Sequence, residues 1–112
     1  MAEDEGEAAV RTVARYFHLL NAGAFALLYA EVMDRRTRDR MGRDRFVCAL
    51  EELAFRGRAR LHALEGVRVE GASARVRVAA ALAGFAGDLE FELVREDGGW
   101  RVARFTPLNL EV

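Results

Sequence analysis

The apolar residues of this chain change their period once, near residue 59. Before that point they recur every three or four residues, which is the spacing of one face of an α-helix. After it they alternate with polar residues, as on a β-strand with one buried face. Because all the helices precede the strands, they cannot serve as crossovers between parallel strands. The pattern therefore predicts an α+β fold in which helices cover one face of an antiparallel sheet.

Three helices are predicted in the first half of the chain. The first lies within the N-terminal 22 residues, where Val13 and Phe17 belong to an apolar stripe and Gly23 supplies the left-handed position that ends a helix. The second is predicted over about residues 24–33, and the third begins after Gly42. Each of them presents one apolar face, so we expect all three to pack on the sheet.

Two charged segments interrupt this pattern. Residues 1–7 are acidic and are predicted to be a frayed terminus, which leaves one domain over residues 8–112. Residues 34–45 carry six arginines against three aspartates and have little apolar period, so we predict a loop with a short extended piece near Thr37. The arginines could attract an anion, but the aspartates neutralise half of them. A solvated, self-paired loop is therefore the favoured interpretation.

The second half predicts four strands joined by tight turns. In the second of them, Val76 and Val78 alternate with Arg75 and Arg77, so apolar residues lie on one face and charged residues on the other. The last strand is predicted from Trp100 to Thr106. An extended piece near Thr37 would raise the count from four strands to five or six. The predicted turns are Gly71-Ala72, Gly84-Phe85-Ala86-Gly87 and Asp97-Gly98-Gly99.

Composition excludes several classes of protein. The 17 arginines and 18 acidic residues give a net charge of −1, so we expect no nucleic-acid partner. One cysteine, Cys48, cannot form an internal disulfide, and the two histidines are far apart, so neither metal nor cofactor is predicted. No stretch reaches the ~20 apolar residues that cross a bilayer. Because the start of the chain is acidic, unlike a secretory signal, we expect a cytoplasmic protein with no membrane partner. The absence of lysine and isoleucine is typical of a GC-rich bacterial genome.

The chain resembles a known superfamily in three short segments. They are Arg15-Tyr16-Phe17 followed by Leu20-Asn21-Ala22-Gly23, Gly42 ahead of the third helix, and the closing hairpin Asp97-Gly98-Gly99-Trp100-Arg101-Val102. On these segments it is similar to the nuclear transport factor 2-like superfamily, also called SnoaL-like or ketosteroid-isomerase-like. The resemblance implies a cystatin-like cone, with three N-terminal helices on a curved four-stranded antiparallel sheet. Isomerases, cyclases, ligand binders and non-catalytic domains share this scaffold, so the resemblance implies the fold more than the function.

The ketosteroid-isomerase branch supplies a test of catalysis. The resemblance places Tyr16 as the hydrogen-bond donor to a substrate oxygen. Counting along the branch pattern places the general base at Arg40, so Asp39 becomes the base only after a shift of one residue. The second acid of the branch falls near Leu89, which cannot donate a proton. Because only one role of three is matched, the resemblance favours a binding protein and leaves Tyr16 and Asp39 as candidate catalytic residues.

The favoured function is therefore the binding of a small apolar ligand in the cavity between helices and sheet. His62 would join the cavity only if a β-bulge at Gly66 turned it inwards. One alternative is an isomerase or cyclase that uses Tyr16. The other is a non-catalytic structural or partner-binding module, a homodimer that pairs through the charged outer face of the sheet. The candidate ligand-binding residues are Tyr16, Leu20, Phe25, Tyr29, Phe46, Leu50, His62, Phe91 and Trp100.

Overall fold

The computed structural model of the protein describes residues 4–82 and 84–108. Four helices precede four strands, which confirms the α+β class and the order of elements. The strands form one antiparallel sheet in the order β1-β2-β3-β4, so each strand pairs with its neighbour in sequence. The elements are α1 (Glu5–Ala22), α2 (Phe25–Glu31), α3 (Arg35–Arg40), α4 (Arg43–Phe55), β1 (Arg60–Glu70), β2 (Ser73–Leu82), β3 (Phe85–Glu96) and β4 (Gly99–Pro107).

Helix α1 begins inside the segment that was predicted to fray. The Asp4 carboxylate accepts a hydrogen bond from the backbone N–H of Gly6 at 2.8 Å. The acidic side chains of Glu5 and Glu7 also lie in the first turn, where the helix dipole favours negative charge. Residues 5–7 are therefore helical rather than frayed, and residues 1–3 lie outside the described residues. At the other end, Gly23 has φ 73° and ends the helix as predicted.

The arginine-rich segment contains a helix, so the prediction of a loop over residues 34–45 was wrong. The buried Asp34 caps α3 by accepting a hydrogen bond from the backbone N–H of Thr37 at 3.0 Å. Arginine has high helix propensity, and the basic side chains in the last turn suit the negative end of the helix dipole. An extended piece was predicted near Thr37, but the isolated β-bridge in this region is formed by Met33, which pairs in parallel with Val102 on β4.

The hairpins follow the predicted turns with one difference. Asp97 (φ 51°) and Gly98 (φ 80°) form the two-residue loop between β3 and β4, and positive φ at both positions is what a type I′ turn requires. The loop between β2 and β3 is tighter than predicted, because Leu82 already pairs with Phe85. Phe85 and the two residues after it therefore belong to β3.

The hydrophobic core lies between the helices and the inner face of β2, β3 and β4. Along β2, residues from Ala74 to Leu82 alternate between buried and less buried positions, as the predicted alternation requires. The opposite, outer face carries the charged side chains of these strands. The largest fully buried side chains are Val13, Leu28, Val32, Val76, Val78, Leu89, Phe91, Leu93 and Val102.

A single side chain fixes the junction at which the period of the sequence changes. The Asn21 side-chain amide donates to the carbonyl of Ala59 at 2.7 Å, and the N–H of Ala59 donates to the Asn21 side-chain oxygen at 2.9 Å. These two hydrogen bonds tie the start of β1 to the last turn of α1. Asn21, which carries part of the family resemblance, therefore has a structural role here.

Candidate functional site

Tyr16 lies in an aromatic cluster in the core. Its ring centroid is 5.4 Å from that of Phe91, 6.0 Å from Phe17 and 6.4 Å from Phe105, all in edge-to-face geometry. Within residues 4–82 and 84–108, no hydrogen bond to the Tyr16 hydroxyl is formed, and burial alone raises its pKa far above the ordinary value. A neutral phenol in this place can donate a hydrogen bond but has little tendency to ionise.

Most of the other predicted ligand-binding residues are part of the same core. Leu20, Phe46, Leu50, Phe91 and Trp100 are buried. Phe25 and Tyr29 are partly buried and pack against them. Five surface depressions of 250–570 Å³ stand out, and none of these is lined by Tyr16, Phe46 or Phe91. Of the aromatic side chains expected to line a cavity, Tyr16 packs on Phe91 and Tyr29 packs on Phe46, whereas Trp100 lines a depression of about 330 Å³.

The hydroxyl of Tyr29 has a structural role. It donates to the backbone carbonyl of Arg38 at 2.8 Å and lies 3.0 Å from that of Met41, while the ring packs 5.2 Å from Phe46. These contacts hold the C-terminal end of α3 against α2 and α4. Tyr29 therefore fastens the helices to one another.

Trp100 also holds elements together. The Arg95 guanidinium lies 4.7 Å from its ring centroid, and Arg95 forms an ion pair with Glu5 at the start of α1. The indole is thus covered by a cation that is itself fixed to a helix.

The two candidate catalytic residues are not brought together. Asp39 is exposed on α3, where it lines a shallow depression of about 570 Å³ with three arginines and Glu96. Tyr16 lies in the core and shares no depression or contact with Asp39 among those described above. The pairing of a tyrosine donor with a carboxylate base, which the isomerase alternative needs, is absent from the described part of the chain.

His62 lies on the edge strand β1 and is exposed. The register of β1 on β2 shifts twice, between Leu61 and Ala63 and between Leu64 and Gly66. The second shift is the bulge considered at Gly66. The first was not predicted, and it makes His62 itself the residue without a partner on β2.

The two bulges keep three aliphatic side chains on one face. Leu61, Leu64 and Val67 are three residues apart, a spacing that would place them on alternate faces of a regular strand. With the bulges, they pair with inner-face residues of β2, namely Ala80, Val78 and Val76 in that order. All three thus point to the side of the sheet on which the helices pack.

This set, which we call the β1 strip, is only partly covered by the helices. Leu61 is 37 % exposed, Leu64 52 % and Val67 42 %. Phe55, the last residue of α4 and five residues before β1, is 93 % exposed. Sequence reasoning missed the strip, although the spacing of three among apolar residues in a strand segment is a signal that could have indicated bulges.

The outer face of the sheet carries a network of ion pairs. Glu92 on β3 contacts Arg75 on β2 at 3.6 Å and forms a close ion pair with Arg104 on β4. The hydrogen bond from Arg104 is the main cause of the lowered pKa of Glu92. On β1 the pKa shift has the opposite direction, because a hydrogen bond between the carboxyl groups of Glu65 and Asp88 raises the pKa of Glu65.

The described residues contain neither a metal-ligand cluster nor a membrane-spanning helix. Within residues 4–82 and 84–108, no group of three or more His, Cys, Asp or Glu side chains is placed to hold a metal ion. No helix in the same ranges has the length and apolar character that crossing a membrane requires.

Comparison with known proteins shows the fold. No family model matches the chain, and no curated protein is similar to it. Among solved structures, it is similar to a SEC-C motif containing protein from Rhodopseudomonas palustris, with a TM-score of 0.59 and 14 % identity over 97 % of this chain and 95 % of that one. It is also similar to a de novo designed protein of the NTF2 (nuclear transport factor 2) fold, with a TM-score of 0.54 and 20 % identity over 94 % of this chain and 85 % of that one. The NTF2-like fold is thereby confirmed.

Proposed function

We propose that this chain is a non-catalytic module that pairs with a second copy of itself through the β1 strip. The observation that supports the proposal is the exposure of Leu61, Leu64 and Val67 on the inner face of the sheet. Aliphatic side chains that face the core side of a sheet are normally covered. An exposed apolar patch on an edge strand is a typical site of association with another chain.

The shape of the strip favours a protein surface over a small molecule. Small ligands bind in concave sites that enclose most of their surface. Leu61 and Leu64 line none of the five depressions described above. β1 pairs with β2 on one side only, so its other edge presents backbone N–H and C=O groups to a partner.

The charges at the two ends of β1 favour a second copy as the partner. The strand begins at Arg60 and ends at Glu70. In a two-fold antiparallel arrangement, Arg60 of each copy lies towards Glu70 of the other, and the strip packs on its own equivalent. Two-fold homodimers are also the commonest oligomers. Because the bulges interrupt a regular ladder, apolar packing is the main source of affinity in this arrangement.

Sedimentation velocity of the whole protein tests the proposal. We expect a dimer whose dissociation constant changes little between low and high salt, because apolar contacts are not screened. Leu64→Arg should shift the protein to monomer. The matched control is Leu27→Arg on α2, since Leu27 is similarly exposed at 40 % but lies outside the strip. A monomer at every concentration, or equal loss of the dimer in both variants, would contradict the proposal. A dimer that dissociates in high salt would instead indicate pairing through the charged outer face.

A second candidate function is the binding of a small apolar ligand that carries a carbonyl group. It is favoured by the Tyr16 hydroxyl, for which no hydrogen-bond acceptor is found among the described residues. The Tyr16 ring packs against Phe105, and Phe105 is itself only partly buried. A ligand carbonyl would satisfy the phenol, as in the ketosteroid-isomerase branch. Among the described residues, no carboxylate is shown in contact with Tyr16, which favours binding without turnover.

The ligand can be tested with prodan, a fluorescent naphthyl ketone. Saturable binding with a blue-shifted emission, weakened by Tyr16→Phe, would support this second candidate. Tyr29→Phe is the control, since the Tyr29 hydroxyl is already bonded to backbone carbonyls. Non-saturable fluorescence, or binding that Tyr16→Phe leaves unchanged, would rule out the role of Tyr16.

A further inference from the structure

A groove of about 420 Å³ separates α3 from the outer face of the sheet. Arg36 and Arg40 lie four residues apart on α3 and line one wall, so they project from the same side of the helix. Arg75 on β2 and Arg104 on β4 line the other wall. Four guanidinium groups thus surround one concave space.

The arginines of the two walls differ in their partners. Arg75 and Arg104 both pair with Glu92, which lies between them on the sheet. Arg36 and Arg40 are exposed and form no ion pair within residues 4–82 and 84–108. The aspartates expected to neutralise this segment therefore do not pair with these two arginines.

The charge of the groove is positive overall. Four arginines against the two carboxylates that line it, Asp34 and Glu92, give four minus two, or +2. The Asp34 carboxylate is buried and bonded to the backbone N–H of Thr37, so it is directed at the helix rather than at the groove. An anion entering the groove would meet mainly guanidinium groups.

The helical wall is held in place before any ligand binds. The hydroxyl of Tyr29 anchors the C-terminal end of α3, as described above. At the other end, the Glu96 carboxylate accepts from the backbone N–H of Arg35 at 3.0 and 3.1 Å. The hydroxyl of Thr37 lies 3.4 Å from the carbonyl of Ala103 on β4. Because the backbone is fixed, binding has to order only the side chains of Arg36 and Arg40.

We propose that this groove binds a phosphate monoester of a small molecule. A phosphate monoester carries a charge of about −2 at neutral pH, which matches the charge of the groove. Guanidinium groups bind phosphate oxygens through paired hydrogen bonds. The volume lies within the range of about 300–1,000 Å³ that small-molecule sites occupy. The site is separate from the β1 strip and from Tyr16, so it does not depend on either function proposed above.

Titration of the whole protein with phenyl phosphate tests the site, with the arginine Nε–H signals followed by NMR at about 0.15 M salt. We expect saturable binding and shifts of the groove arginines. Arg36→Gln combined with Arg40→Gln should weaken binding by about tenfold or more, since two charge-assisted contacts are lost. The matched control is Arg43→Gln with Arg45→Gln, which removes the same charge from exposed positions of α4 that do not line the groove. In the control, the affinity should stay within about twofold, because charges that do not line the groove are screened at this ionic strength, where the Debye length is about 8 Å.

Glu92→Gln should change the affinity for phenyl phosphate in the opposite direction. It raises the charge of the groove from +2 to +3 and releases Arg104, while Arg75 keeps its ion pair with Glu90 at 3.3 Å, so phenyl phosphate should bind several-fold more tightly. A variant that merely disturbed the fold would not gain affinity. The proposal is overturned if phenyl phosphate does not saturate, if the control weakens binding as much as the groove variant, or if Glu92→Gln fails to tighten it. Binding of oligothymidylate without a response to phenyl phosphate would also overturn it, in favour of a nucleic-acid surface.

Discussion

The inner face of the sheet is apolar on β1 and on β2, yet the two strands have opposite environments. Val78 is 1 % exposed on β2, whereas its partner Leu64 on β1 is 52 % exposed. Val76 is fully buried beside the 42 % exposed Val67. Both residues of each pair are aliphatic and lie on the same face, so the difference reflects the position of the strand, because β2 lies between two strands whereas β1 is an edge strand.

Helix α1 contacts β1 near both ends of the strip. A Cβ on Gly6 would lie 3.3 Å from Cγ1 of Val67, so the start of the helix closely approaches the strand there. At the other end, Asn21 is bonded to the backbone of Ala59. Leu64, between these contacts, is the most exposed of the strip. An edge strand on a face predicted to be buried can therefore stay half-exposed even where a helix contacts both of its ends.

The largest loss of stability is expected from truncating a side chain in the core between the helices and the sheet. Phe91→Ala should lower the free energy of unfolding by about 3–5 kcal/mol, because Phe91 is fully buried and a cavity remains. Leu64→Ala should cost less than about 1 kcal/mol in the dilute monomer, since half of that side chain already contacts water. Urea denaturation measures both. Equal losses would show that helices cover β1 as they cover β3.

Removing the link between α1 and β1 should have the next largest effect. Asn21→Ala deletes two hydrogen bonds to Ala59 and leaves the buried Ala59 backbone unpaired, so we expect a loss of about 1–3 kcal/mol. His18→Ala, on an exposed position of the same helix, serves as the control and should change the stability little. If Asn21→Ala were as mild as the control, α1 would not be fixed to the strand by these bonds.

The two tyrosines should respond unequally to the same substitution. In the described part of the chain, Nε of Arg38 is the one buried side-chain nitrogen or oxygen without a hydrogen-bond partner, so Tyr16→Phe removes no buried unpaired group and should change the free energy of unfolding by less than about 0.5 kcal/mol. Tyr29→Phe removes a hydroxyl bonded to backbone carbonyls and should lower it by about 1 kcal/mol. Thermal denaturation of both variants makes the comparison. A destabilised Tyr16→Phe would show that the Tyr16 hydroxyl has an acceptor.

The smallest effects are expected on the outer face, from acid titration. The pKa of Glu92 is lowered by Arg104, so its contribution to stability is present above the unfolded pKa and lost as pH falls through the folded one. The pKa of Glu65 is raised by its hydrogen bond with Asp88, so its contribution is present at low pH and lost as pH rises through the folded pKa. Carboxyl-carbon NMR titration distinguishes the two. Glu65 titrating at or below the ordinary value would contradict the carboxyl pair.

Local signals made part of the fold predictable. Gly23 and the Asp97-Gly98 turn adopt the backbone conformations that their residue types favour. Helix α3 is hard to predict because its N-cap, Asp34, stands in a segment of many charges that lacks an apolar period. An aspartate can be recognised as an N-cap only when the residues after it already suggest a helix, because the capping hydrogen bond comes from a backbone N–H that any residue carries.

The candidate site was less predictable, because it depends on contacts between distant segments. The sequence places Tyr16 on an apolar face but does not say whether Phe91 and Phe105 pack against it. It places Leu64 in a strand but does not reveal two bulges or the path of α1. These features are decided by packing across the whole chain, where one extra residue in a strand reverses a face.

Amide hydrogen exchange across a range of protein concentrations tests the central claim most directly. If a second copy binds the β1 strip, exchange of the amides from Leu61 to Val69 slows as concentration rises, while amides of β3 in the core stay equally protected throughout. Exchange in β1 that does not depend on concentration would contradict the claim that this partly covered face is where the protein associates.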